Sequence, residues 1–352
     1  MSRAALGTWA AVLALTAGAA GGVDPHMDLS LMPGSCAACH RGHGVSRSPM
    51  LPAAQTEVCL QCHDSRVGID RLVAAGVLSA EADPVQMGTA LAGAFTHPLS
   101  SEAFSSEEPG AVVCTSCHSP HRGMPPRGGS GAATGQRNLS PRDPGRFEVE
   151  LCQSCHGAAG LGTRSPLDLS RLTNPNNPSY HPVEAPAAER SPSVRPELAG
   201  REINCTDCHG NSDPAGPRGP HASQVHFILR ADYETVDGTS ESETAYALCY
   251  GCHARGMVLD DSPFEHHRLH VVDERAACAT CHSAHGSLEN RSLIRFGEEV
   301  FVGAVAPSLA AGRLAFVSSM PGSGSCYLTC HGYDHAPESY GDEVGSLPPP
   351  MR

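Results

Sequence analysis

CATCHSAHGS, residues 278–287, sets two cysteines and two histidines within eight consecutive positions. Cys278 and Cys281 lie three apart, His282 follows the second cysteine directly, and His285 comes three residues later. The Cys-x-x-Cys-His element occurs seven times: Cys36/Cys39/His40, Cys59/Cys62/His63, Cys114/Cys117/His118, Cys152/Cys155/His156, Cys205/Cys208/His209, Cys249/Cys252/His253 and Cys278/Cys281/His282. An eighth pair, Cys326 and Cys330, has one more residue between its thiols and is followed by His331. These pairs use all 16 cysteines. Disulfides, which exported proteins favour, and zinc ribbons would use the same thiols. Neither requires His after every second Cys. With 20 His in 352 residues, eight such coincidences by chance are on the order of 10⁻¹⁰, and the pattern reads as covalent attachment of eight haem c groups. Each thiol bonds one vinyl carbon, and the adjoining His reaches the iron.

Composition fits a chain wrapped around such groups. One Trp, seven Tyr and eight Phe stand against 37 Gly and 29 Pro, too few large apolar side chains and too many chain-breakers for an ordinary layered core. Without the first 20 residues, about 41 residues remain per haem, little for independent folding. The expected fold is mostly irregular and helical with few short strands, its core formed by stacked haems. The haem-free chain should be largely unfolded. The net charge of −13 argues against a nucleic-acid partner. All 24 basic residues are Arg; the chain has no Lys.

Residues 1–22 read as a signal peptide: a short positive start at Met1–Arg3, an apolar run from Ala4 to Thr16, and an Ala17-Gly18-Ala19 cleavage site. The apolar run is short for a membrane span. No later segment is long and apolar enough to be one, so no integral membrane segment is expected after cleavage. The expected location is the periplasm or the cell surface.

Beyond the eight motif histidines stand His26, His43, His97, His121, His181, His221, His226, His266, His267, His270, His285 and His335. Along the chain they form a fourfold repeat. Each unit reads leading His, first motif, trailing His, second motif. The expected units are 23–90, 91–160, 161–260 and 261–340, before a flexible tail at 341–352. The leading residues are His26, His97, His181 and one of His266, His267 or His270, with His270 favoured. The trailing residues are His43, His121, His221 and His285. Three of these come three residues after the motif histidine, and His221 comes twelve after, across Asn211–Pro220. A ring three residues away cannot reach the opposite face of the same iron, so the trailing His should ligate a neighbouring haem. The expected iron ligands are therefore His40, His63, His118, His156, His209, His253, His282 and His331 on the proximal side. On the distal side they are His26, His43, His97, His121, His181, His221, His270 and His285. No Met recurs in register with the motifs, so mostly bis-His coordination and low potentials are expected.

Local patterns predict a helix over 70–82, Pro/Gly-rich surface loops at 123–146 and 163–200, a small hairpin from 299–302 and 313–318, and a loose tail from Pro337.

Several segments resemble the doubled-motif multihaem cytochromes grouped loosely with the cytochrome c3 class. They are CHRGHG at 39–44, CHSPHRG at 117–123, GPHAS at 219–223, HHRLHV at 266–271, CATCHSAHGS at 278–287 and GSCYLTCHGYDHAPESY at 324–340. The resemblance implies electron transfer in the periplasm or at the cell surface, with other redox proteins, cytochromes or metal oxides as partners. In some relatives it extends to haem-stacked filaments. The leading expectation is thus an electron conduit and not an enzyme, with no catalytic residues. A polymerising subunit and a reductase of nitrogen or sulfur oxyanions are the alternatives. Octahaem reductases typically hold their catalytic iron with Lys, and this chain has none.

Overall fold

The structure is a computed structural model. It describes residues 25–45, 50–99, 112–121, 145–158, 167–187, 191–261, 264–296, 305–318 and 322–341; the expected signal peptide lies outside this range. Short helices dominate. In chain order they are α1 Cys36–Cys39, α2 Gln55–His63, α3 Arg66–Ala74, α4 Cys114–Cys117, α5 Gly145–His156, α6 Leu169–Leu172, α7 Cys205–Cys208, α8 Ala247–Tyr250, α9 Arg255–Leu259 and α10 Cys278–Cys281. Four of them, α1, α4, α7 and α10, are a single turn bounded by the two cysteines of a motif. Their next residue, the motif histidine, is already extended, with φ between −92° and −111°. One turn brings residues three apart onto one face, which is what two thiols on one macrocycle need.

The helix predicted over 70–82 is α3. It starts four residues earlier and ends before Gly76, whose φ of +72° stops it in the left-handed conformation that suits glycine. Ile69 on α3 is fully buried and packs with Met32, Ala38, Leu78 and Ala82. Two other clusters, Tyr246/Tyr250/Val271 and Phe296/Phe316/Leu328, are smaller.

Strands are few: β1 Phe95–Thr96, β2 Ser179–Tyr180, β3 Ala222–Ser223, β4 Gly286–Ser287, β5 Val305–Ala306, β6 Ala315–Val317, β7 Gly324–Cys330 and β8 Tyr333–Tyr340. β1 pairs antiparallel with β3 (Phe95↔Ser223, Thr96↔Ala222), and β2 with β4 (Ser179↔Ser287, Tyr180↔Gly286). β5 and β6 both pair with one edge of β7, and β8 pairs with the other. Among the described residues there is no closed barrel.

Four local expectations change. The 313–318 segment is a strand, β6, but it pairs with β7; residues 299–302 lie outside the described range. Residues 163–200 are not all loop, since they carry α6, β2 and a turn at Pro196–Leu198. Most of 123–146 is outside the described residues, but α5 begins at Gly145. Pro337 sits within β8 instead of opening a loose tail. There Tyr340 backs onto Phe316 and Phe264, giving the segment apolar contacts that its polar composition hides. No helix among the described residues is long and apolar enough to cross a membrane.

Candidate haem sites

The two-residue ladders matter because each delivers two histidines. His97 follows β1 and His221 precedes β3; His181 follows β2 and His285 precedes β4. The Nδ1–H of His97 donates to the carbonyl of Pro220 (2.8 Å), and that of His181 to the carbonyl of Ala284 (2.5 Å). In both ladders the acceptor immediately precedes the other histidine, so the two junctions are built alike.

Sixteen of the 20 histidines stand as eight ring pairs. The centroid separations are 5.8 Å for His40–His121, 6.0 Å for His26–His63, 5.8 Å for His118–His221 and 6.2 Å for His97–His156. They are 6.2 Å for His209–His285, 6.5 Å for His181–His253, 6.2 Å for His267–His282 and 6.2 Å for His270–His335. Two imidazoles bound on opposite sides of one metal, each through a nitrogen about 2 Å away, have ring centres about 6 Å apart. Direct stacking would bring them closer. The eight separations therefore fit an intervening iron.

Ring orientation supports the same assignment. The Nδ1–H of His63 donates to Val85 O, that of His209 to Phe227 O, that of His282 to Ser292 O and that of His270 to His266 O. Nδ1 of His253 lies 2.8 Å from the Ser193 hydroxyl. A backbone acceptor at Nδ1 fixes the tautomer and frees Nε2 for a metal. Nδ1 of His221, His267 and His335 is buried with no hydrogen-bond partner among the described residues. At these three rings no protein acceptor among the described residues fixes the tautomer. Burial holds His221, His253 and His267 down at about 4, so these rings are neutral, as ligation requires.

The sites at 205–209 and 278–282 share further framework. In each, two consecutive left-handed residues, Phe227-Ile228 or Ser292-Leu293, place the carbonyl that accepts from the motif histidine. Ile228 O then takes the Gly210 N–H and Leu293 O the Ser283 N–H, while Arg230 N–H reaches Cys208 O and Arg295 N–H reaches Cys281 O. Buried Ser223 and Ser287 donate to Leu229 O and Ile294 O. The longer 209–221 gap is thus absorbed as an excursion that returns to the same frame. These downstream residues escaped the sequence reading; the signal available was the pair Leu229-Arg230 and Ile294-Arg295, beginning six and seven residues past their buried serines.

The motifs also follow one another in space. Sulfurs of Cys59 and Cys114, Cys152 and Cys205, and Cys249 and Cys278 lie side by side in pairs. Each joins the second motif of one expected unit to the first motif of the next. Within units the second cysteines approach: Cys62 is raised by burial and then by Cys39, Cys117 by burial and then by Cys155, and Cys208, pushed up to about 12, by burial and then by Cys252. Burial, then Cys326 and Cys330, pushes Cys281 up to about 12. Polar side chains lock the junctions. Gln55 Oε1 accepts from the backbone N–H and hydroxyl of Thr115 (3.0 and 2.9 Å). Buried Glu148 accepts from the same two groups of Thr206 (2.7 and 3.0 Å). Asp237 Oδ1 accepts from Ala277 N–H and the Thr280 hydroxyl (2.8 and 2.5 Å). Each acceptor meets the exposed N–H groups at the start of a motif turn.

Two expected ligands, His43 and His331, face no other imidazole among the described residues. His43 is exposed, between Gly42 and Gly44 with φ of +66° and +71°, and no described imidazole lies against it. The place facing His282 is filled by His267, with His270 one turn on facing His335. His331 occupies a tight turn (φ +48°) and its Nε2 lies 3.2 Å from Asp237 Oδ2. Asp237, Cys330 and His331 offer ligand atoms within 4.8 Å of one another. Of the remaining rings, His226 packs on Phe95 and Phe227. His266 lies 6.4 Å from His270, but as its neighbour on the same turn, with its carbonyl already engaged by that ring.

A family model for the doubled CXXCH motif matches residues 31–68 and 198–258. No curated protein and no solved structure matches the chain. Each matched stretch spans two consecutive attachment motifs, and the match supports a multihaem c-type cytochrome that binds haem c covalently and takes part in electron transfer.

Proposed function

We propose that the chain is an exported octahaem cytochrome that conducts electrons through a line of bis-His haems in respiratory or extracellular electron transfer. The observation that carries this reading is the set of eight imidazole pairs at 5.8–6.5 Å, equal in number to the cysteine pairs. Haem supplies a reversible one-electron couple. The polypeptide supplies axial nitrogens, fixes their tautomer through Nδ1, and excludes water. With both axial positions filled, an electron enters or leaves with little ligand rearrangement, and two imidazoles keep the potential below that of a Met-ligated haem. The sulfur contacts between successive motifs support haem edges lying close along the line. The small apolar clusters support macrocycles as the main core.

The pairs have a consistent register. A leading His faces the second motif of its own unit, as His26–His63, His97–His156 and His181–His253 do. A trailing His faces the first motif of the preceding unit, as His121–His40, His221–His118 and His285–His209 do. Filled axial positions leave no iron open to substrate, so catalysis is not part of this reading. The register leaves His43 without a preceding unit, and its exposure favours a second reading, in which chains assemble end to end. Electron counting on the purified holoprotein tests the main reading: reductive titration should take up eight electrons per chain at low potentials. Size exclusion and electron microscopy of native protein and His43→Ala test assembly.

A further inference from the structure

We infer that the eighth haem takes His335 and His270 as axial ligands, with the motif histidine His331 off the iron. The inference rests on the octahaem reading above. At the other seven sites the motif histidine itself faces a second imidazole. At the eighth, His331 faces Asp237, whose other carboxylate oxygen is anchored on Ala277 and Thr280, so this histidine has its own partner. The ring against His270 belongs instead to His335, at 6.2 Å.

The attachment peptide differs in kind. Cys326 and Cys330 lie on extended β7, not on a helical turn. Residues four apart on a strand are about 13 Å apart, against about 5–6 Å between Cβ atoms of helical i, i+3 neighbours. Cys326, Leu328 and Cys330 occupy alternate positions of β7, and His335 is the partner of Leu328 across the ladder, just past a β-bulge that shifts the register between Cys326 and Leu328. Directly opposed residues share a face, so His335 stands on the side that carries Leu328 and Cys330. The two-residue turn His331-Gly332, both left-handed (φ +48° and +83°), makes this possible by folding β8 back along β7 while taking His331 out of the strand. That face packs with Phe296, Phe316 and Cys281, beside the seventh motif.

The geometry also limits attachment. A thioether forms when a thiol S–H adds across a vinyl C=C, sulfur to one carbon and hydrogen to the other, with no net oxidation. Two sulfurs on this strand cannot both reach the vinyls that the helical motifs serve. One of Cys326 and Cys330 should therefore bond the haem and the other remain a thiol.

The test uses mature holoprotein carrying eight haems. Replacing His335 with Ala should turn one iron in eight high-spin by EPR, while His331→Ala leaves the low-spin count unchanged. Should His335→Ala mature poorly, His335→Met keeps the iron six-coordinate and should raise one potential of the eight, with His331→Met raising none. Alkylation of the denatured chain, read by mass spectrometry, should label one thiol, in the 324–340 peptide. A high-spin iron in His331→Ala but not in His335→Ala overturns the inference, and so do two thioethers at Cys326 and Cys330. His282→Ala is the control: if it fails to alter a low-spin haem, the octahaem bis-His reading fails, independently of how His331 and His335 divide.

Discussion

The attachment sites at 205–209 and 278–282 differ in local sequence and in the distance to the trailing histidine, yet they share one frame of hydrogen bonds. The site at 326–331 keeps the sequence order Cys, Cys, His but sits on a hairpin with a different frame. At these two sites the surrounding backbone places the motif ring: a left-handed pair accepts from the motif histidine and a buried serine holds the chain that follows, while the second ring comes from a ladder at 205–209 (His285) and from the 264–270 segment at 278–282 (His267). At the C-terminus none of these follows the cysteines within the described residues. A tight turn and a long antiparallel pair take their place, and the second ring comes from His270 on the preceding segment.

The largest effect should come from withholding haem. Because the buried apolar clusters are small, chain produced without haem attachment should lack stable tertiary structure at both kinds of site. Near-UV circular dichroism and proteolysis would show it, and a stable haem-free fold would break the comparison at its root. Next in size is removal of one ladder histidine. His285→Ala should leave one high-spin iron and lower the thermal midpoint, while exposed His43→Ala should change neither.

Locking side chains come third. Glu148→Ala strips the buried acceptor from two donors of Thr206 and should cost about 1–3 kcal/mol in denaturant unfolding of the holoprotein. Ser223→Ala and Ser287→Ala should each cost about 1 kcal/mol, and the two costs should be alike if the frames are copies. The smallest effect concerns Glu241. Its carboxylate is held below the usual range by the Arg255 guanidinium (2.9 and 2.5 Å) and by the Tyr250 hydroxyl (2.9 Å). A depressed folded pKa stabilises above the unfolded value near 4.5, and that stabilisation is lost as pH falls below it. Glu241→Gln should therefore flatten the acid limb of the stability profile by a fraction of the total.

Much of this was legible in the residues themselves. Cysteine spacing with an immediate His identified the seven helical motifs because one turn of backbone determines the geometry. The scarcity of aromatic residues foretold an interior that side chains do not fill. The partner of each ring was harder to read. His121 meets His40, and His221 meets His118, across tens of residues, and the ladder that brings in His221 is too short to leave a periodic pattern. His43 and His285 occupy equivalent sequence positions, but only His285 has a strand from another segment to receive it. The cluster at 266–270 held two facing rings, His267 and His270, one helical turn apart. His331 matches the other seven in sequence position, while the strand before it and the turn at Gly332 set its ring against Asp237.

The most direct measurement of the central claim is a spin-quantified EPR spectrum of the air-oxidised holoprotein, with covalent haem counted on the same sample by mass spectrometry. The account predicts eight haems per chain and eight low-spin ferric irons with no high-spin signal. Fewer than eight haems, or a high-spin component integrating to one iron or more, would contradict it.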